Sequence, residues 1–227
     1  MVAAAATLLV AAPPTPAAEA AAAPDGGVVT GVVRLARGAP RAASTPVVRD
    51  AEGCGDQAVD PRAGDARGLG GSVVWIEGVG RGAAARGEIV LEAVGCRFRP
   101  PVAAAMVGTR VRVRNGDHVL HGPRGTMDGA GVFAVALPAA GQVVDVTRRL
   151  TRPGVIRVGC AVHPHMTAWL VLHDTPYVAV TDALGAYRFE GVPPGTWTVT
   201  AWRDGARRSR RVTVRPGATT TADFELR

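Results

Sequence analysis

A period of two constrains this chain more than any other feature. Across residues 109–114, Val111 and Val113 alternate with Arg110, Arg112 and Arg114. Only an extended strand turns that order into one apolar and one solvated face. Short β-branched runs recur at 28–35, 72–76, 88–91, 131–135 and 142–146, each bounded by Gly, Pro or Asp, which are strand and turn signals. No helical period competes with them. A length of 227 residues with 29 Gly and 17 Pro suits one or two turn-rich domains with a substantial core. The expected fold class is all-β.

The chemistry concentrates in residues 160–166, where Cys160, His163, His165 and Met166 share one short loop. The loop lies between the extended runs 154–159 and 167–172, and Pro164 restrains it. A thiolate, an imidazole and a thioether are thus placed at neighbouring strand ends. Upstream, Asn115-Gly-Asp117 breaks a strand at a turn signal and is followed by His118 and His121, either of which can supply a second imidazole. Two imidazoles and a thiolate with a weak axial Met make the donor set of a blue copper centre. Singly, a Cys or a Met is more often a core filler. His173, at a strand end, reads as a satisfied or surface histidine.

The C-x-x-H-x-x-M spacing of Cys160, His163 and Met166 resembles the ligand loop of amicyanin-type cupredoxins, and the histidine after an Asn-x-Asp turn resembles their remaining ligand position. With residues 95–100 and 176–182, these motifs are similar to bacterial cupredoxins linked to methylamine utilisation that carry a carboxypeptidase-regulatory-like domain. The resemblance implies His121, Cys160, His163 and Met166 as ligands of one type 1 copper. It also implies a cupredoxin Greek-key β-sandwich followed by a small prealbumin-like β-sandwich. Two positions depart from the family: Gly122 stands where Asn is common, and His165 where an aromatic residue commonly precedes the methionine.

The expected layout is a leader over 1–24, a cupredoxin module over 25–174 with an irregular loop at 38–71, and a regulatory-like sandwich over 175–227. In the last segment Tyr187 and Phe189 alternate, 193–195 form a turn, and Trp197, Val199 and Ala201 alternate again. It contains no nucleophile or ligand cluster, so a structural or partner-binding role is expected there.

The leader, rich in Ala with an apolar stretch at 3–12, reads as the end of an export signal, or as an Ala/Pro-rich tail. No apolar run is long enough to span a bilayer as a helix, so no integral membrane segment is expected. Of three cysteines, Cys160 is left over for metal if Cys54 and Cys96 pair, as an oxidising periplasmic or secreted location allows. Three free thiols in a reducing compartment are the alternative. The net charge of +7 comes entirely through Arg, which points to coding bias. With 4% aromatic residues, the basic run Arg207–Arg211 reads as a solvated hairpin face, and no nucleic-acid partner is expected. The expected partner is a redox protein, with complementary charge speeding encounter, and the expected role is electron transfer without enzymatic turnover. A copper carrier or store, or a metal-free interaction module, remains the alternative; oligomeric state is left open.

Overall fold

The computed structural model describes residues 25–36, 51–54, 69–80 and 84–227. The 1–24 leader and most of the 38–71 loop lie outside the described residues. Two strands come first, β1 (Gly27–Leu35) and β2 (Val73–Glu77). Nine follow from β3 (Glu88–Val94), β4 (Arg97–Arg99), β5 (Val102–Met106) and β6 (Arg110–Asn115) to β7 (Pro123–Met127), β8 (Ala130–Ala134), β9 (Val143–Asp145), β10 (Gly154–Cys160) and β11 (Thr167–His173). The last six are β12 (Val178–Val180), β13 (Ala186–Val192), β14 (Gly195–Arg203), β15 (Ala206–Val214), β16 (Thr219–Thr221) and β17 (Phe224–Leu226). Among the described residues, no helix is long and apolar enough to cross a membrane.

Strands β3 to β11 make the first sandwich. One sheet runs β5-β11-β10-β7-β8 and the other β4-β3-β6-β9. The alternating strand behaves as its pattern requires. Val111 and Val113 are buried in the core between these sheets, with Leu91, Ile156, Val158 and Leu170. On the opposite face, Arg110 meets Asp145 at 2.9 Å, Arg112 meets Glu88 at 2.6 Å and Arg114 meets Glu92 at 3.3 Å. Exposed pairs of this kind add little stability, so burial of the valine face drives the strand.

The second sandwich has sheets β12-β2-β14-β15 and β13-β1-β16, with β17 also paired to β1. This corrects the expected domain boundary. Both β1 and β2 fall in the 25–174 span expected to form the first module, yet β1 pairs with β13, β16 and β17, and β2 pairs with β12 and β14. The first sandwich is therefore an insertion, residues 88–173, between the second strand of the other sandwich and the rest of it. The physical reason is visible in β2, where Val73, Val74, Trp75 and Ile76 are buried in succession. Successive strand side chains face opposite sides, so a strand buried at every position needs cover on both faces. Val74 and Ile76 enter the core of the second sandwich, whereas Val73 and Trp75 meet Val102 and Val171 of the first, beside Val178 and Trp202.

Strand β11 is shared in the same manner, with Ala168, Leu170 and Leu172 turned to the first core and Trp169 and Val171 to the joint. Four sheets thus stack with three apolar seams between them. The basic run lies on β15 at a sheet edge, exposed from Arg207 to Arg211. Arg207 bonds Glu77 at 2.7 Å and covers the Trp75 ring at 5.2 Å.

Because β1 and β2 complete the second sandwich, a fragment of residues 175–227 should show no cooperative thermal transition by circular dichroism. A cooperative melt would refute the nested arrangement. In the full chain, Ile76→Ala should cost about 2–5 kcal/mol in denaturant titration, as for a large-to-small change in a closed core.

Candidate metal centre

The site begins where β6 ends. The Asn115 Oδ1 accepts the Asp117 N–H at 2.8 Å, and its Nδ2 donates to the carbonyls of Val119 and Leu137 at 2.9 and 2.8 Å. This buried amide folds the 116–120 turn. His121 follows in a short antiparallel bridge with Leu137, and the main chain of Gly122 reaches the end of β10. There the Ala161 N–H donates to the Gly122 carbonyl at 2.8 Å, and the Gly122 N–H donates to Cys160 Sγ at 3.3 Å. A Cβ on Gly122 would stand 3.1 Å from that of Ala161. Gly122 thus permits a close approach, and main-chain bonds tie the two loops.

Cys160 is the last residue of β10 and its thiol is free. Its sulfur also receives the His163 N–H at 3.5 Å, and the loop closes through a bond from the Met166 N–H to the His163 carbonyl at 3.0 Å. Three donor atoms converge. Cys160 Sγ lies 3.9 Å from His121 Nδ1 and 3.8 Å from His163 Nδ1, and the two nitrogens are 3.1 Å apart. A point equidistant from all three is about 2.1 Å from each, a bonding distance for a first-row metal ion. Both imidazoles are fully buried and Cys160 is 3% exposed.

Electrostatics prepare the sulfur. Burial pushes the Cys160 thiol up, but His121 and the N–H groups of Gly122, His163 and Val162 outweigh it and bring the thiol down to about 6. Thiolate is the ligand form. His121 Nε2 donates to Asp117 Oδ2 at 2.9 Å, which leaves Nδ1 for a metal. Burial alone would raise the Asp117 carboxyl, yet the N–H groups of Cys96 and Gly95, at 2.9 and 2.7 Å, together with His121, hold it below its usual range. Asp117 was not singled out by sequence reasoning as a site residue. Its signal was an acidic side chain in the turn four residues before His121.

Of the four residues expected as ligands, the structure brings His121, Cys160 and His163 together, and Met166 lies 1% exposed in the same core as Cys160. His118 is exposed. His165 Nε2 donates to the Cys96 carbonyl at 3.1 Å, and burial lowers its pKa. His173 lies against Trp75 with ring centroids 5.3 Å apart, beside Asp174. Cys54 and Cys96 form a disulfide with a Cα separation of 5.0 Å, as the cysteine count suggested. Two other donor groups occur among the described residues, one of Cys54, Cys96 and His163 and one of Cys96, Asp117 and His121, but their sulfurs are bridged. The His163 ring is fully buried, near the Cys54–Cys96 disulfide.

Asp117 orients His121, so if His121 holds copper, Asp117→Ala should weaken Cu(II) binding about 10–100-fold in chelator competition, the usual cost of losing such a partner. Asp128→Ala, at an exposed turn, should leave affinity unchanged; equal affinities in all three proteins would remove the orienting role.

The carboxypeptidase regulatory-like domain family matches residues 164–227. That span opens within the Cys160–Met166 loop and includes β11, which hydrogen-bonds within the first sandwich. No curated protein matches the chain. Among solved structures, the Cu-containing nitrite reductase from Thermus scotoductus SA-01 is 25% identical over 43% of this chain, with a TM-score of 0.33. The chain spans 25% of that protein's length. Amicyanin from Paracoccus versutus is 14% identical over 44% of this chain and 97% of its own, with a TM-score of 0.34. A reduced amicyanin mutant is 20% identical over 44% and 98%, also with a TM-score of 0.34. The chain thus pairs a two-sheet β-sandwich that carries the His121, Cys160 and His163 cluster with a segment, 164–227, that matches the carboxypeptidase regulatory-like domain family.

Proposed function

We propose that this chain is an exported type 1 copper protein that passes single electrons between redox partners. The observation that carries the reading is the convergence of His121 Nδ1, Cys160 Sγ and His163 Nδ1 in a buried cluster. A soft thiolate with two imidazoles suits copper in both oxidation states, and bound copper would supply a one-electron couple. Among the described residues, the chain's own groups do the rest. Asp117 holds the His121 ring, the Gly122 and His163 N–H groups hold the sulfur, and Met166, by the resemblance of its loop to that of amicyanin-type proteins, would supply a weak thioether donor. Burial keeps water out, so little has to rearrange as charge changes.

The same burial favours a resident metal over a carrier that hands its cargo on, because a receiving protein would have to reach donors no more than 3% exposed. A donor cluster closed to solvent suits a carrier of electrons, which needs no substrate at the metal. Leu120, 46% exposed beside His121, offers a redox partner an apolar contact. The Cys54–Cys96 bridge supports an oxidising, periplasmic or secreted location, in line with the composition of the leader.

The copper-loaded protein should hold one Cu(II) and show an intense visible band from thiolate-to-copper charge transfer, which Cys160→Ser abolishes. His121→Ala and His163→Ala should each disrupt the site, whereas His118→Ala and His165→Ala should leave most of it. Copper retained without the band would make storage the better reading, and no copper binding would leave a metal-free module. For the axial position, Met166→Leu should raise the reduction potential and Met166→Gln should lower it, since a harder axial donor favours Cu(II). Unchanged potentials in both variants would make Met166 a core residue only.

A further inference from the structure

The two imidazoles of the cluster belong to loops 42 residues apart in sequence, yet their Nδ1 atoms stand 3.1 Å from each other. On one side the loops meet directly, through the Ala161 N–H on the Gly122 carbonyl and the Gly122 N–H on Cys160 Sγ. On the other side the link runs through a third segment, the Gly95–Cys96 turn between β3 and β4. The Cys96 N–H donates to Asp117 Oδ2 at 2.9 Å, and the same oxygen accepts from His121 Nε2 at 2.9 Å. The Cys96 carbonyl accepts from His165 Nε2 at 3.1 Å. The His165 ring in turn stands edge-on to His163, with centroids 5.8 Å apart. Contacts therefore run from His121 through Asp117, Cys96 and His165 to His163, and the Gly122 side closes them into a ring around the three donor atoms.

This arrangement is held at a cost. Cys96 adopts a φ of 49°, in the left-handed region that residues with a Cβ rarely enter, and from there its N–H and carbonyl serve the two loops. The carbonyl also fixes the His165 tautomer, since only a protonated Nε2 can donate to it. His165 Nδ1 is left buried with no partner among the described residues. Backbone strain and unpaired buried atoms persist only where the surroundings enforce them, and they gather at functional sites.

We propose that His165 is a positioning residue: through the Cys96 turn it holds the Cys160–Met166 loop at a set distance from His121, so that the imidazole pair is preset before copper arrives. The use of that distance rests on the blue copper reading. The positioning itself does not, and it shows in the metal-free protein.

The test compares two replacements that separate the hydrogen bond from the ring. His165→Phe keeps an aromatic ring without a donor, and His165→Gln keeps an amide donor at a similar reach without a ring. The amides to follow are those of His163 and Met166, which donate to Cys160 Sγ and to the His163 carbonyl. In metal-free protein their hydrogen exchange should run about three- to tenfold faster in His165→Phe, as for the loss of one net hydrogen bond. His165→Gln should restore the unmutated rates, and the amide of Val158, in the middle of β10, should not change in either variant. Copper-loaded His165→Phe should keep the visible band at a shifted wavelength, and His165→Gln should return it. Unchanged exchange in His165→Phe, or His165→Gln behaving like His165→Phe, would overturn the proposal. So would equal acceleration at Val158, which would make His165 a general stabiliser of the fold. If the unmutated chain binds no copper, the blue copper reading fails alone, and exchange in the metal-free protein still decides whether His165 sets the loop.

Discussion

The carboxylate of Asp117 is the interaction on which the centre depends. A buried charge is costly unless its acceptor sites are filled, and here three donors fill them: the Gly95 and Cys96 N–H groups and His121 Nε2. One side chain therefore joins the disulfide-bearing turn between β3 and β4 to His121 of the candidate centre, in the loop after β6. Asn115 prepares it by folding the turn around its own amide. The bridge to Leu137 places the His121 main chain, and the bond to Asp117 sets its ring orientation.

The second loop is fixed from the other side. Pairing of β10 with β7 and β11 brings Cys160 opposite Pro123, next to Gly122, and the glycine allows the approach. Packing then makes the support rigid. The sheet containing β10 and β11 is covered on one face by the first core and on the other by the Trp75, Trp169 and Trp202 joint. Closely packed seams of this kind transmit displacement. The second sandwich thus buttresses the sheet that carries the Cys160–Met166 loop, a structural role for a module with no donor cluster of its own among the described residues.

Much of this was legible in the chain. The two-residue period at Val111 and Val113, the turn residues between runs and the Tyr187–Phe189 alternation marked strands that the structure contains, because local alternation needs only the pleat to be read. The grouping of Cys160 and His163 was legible for a similar reason, since residues three apart on one short loop cannot separate far. The choice between His118 and His121 needed family likeness, and the structure exposes the first and buries the second.

Sequence by itself determined the strand content, the donor types and the loop that bears Cys160, His163 and Met166, all of which follow from local order. Tertiary structure alone decided the assignment of β1 and β2 to the second sandwich, the tie from Asp117 to His121 and the burial of His163 near the disulfide. The run Val73-Val-Trp-Ile76 carried the clue that both faces of β2 are covered, but not which sheets cover them. Partners distant in sequence are chosen by which apolar faces fit when the whole chain has closed, and no window of neighbouring residues contains that information.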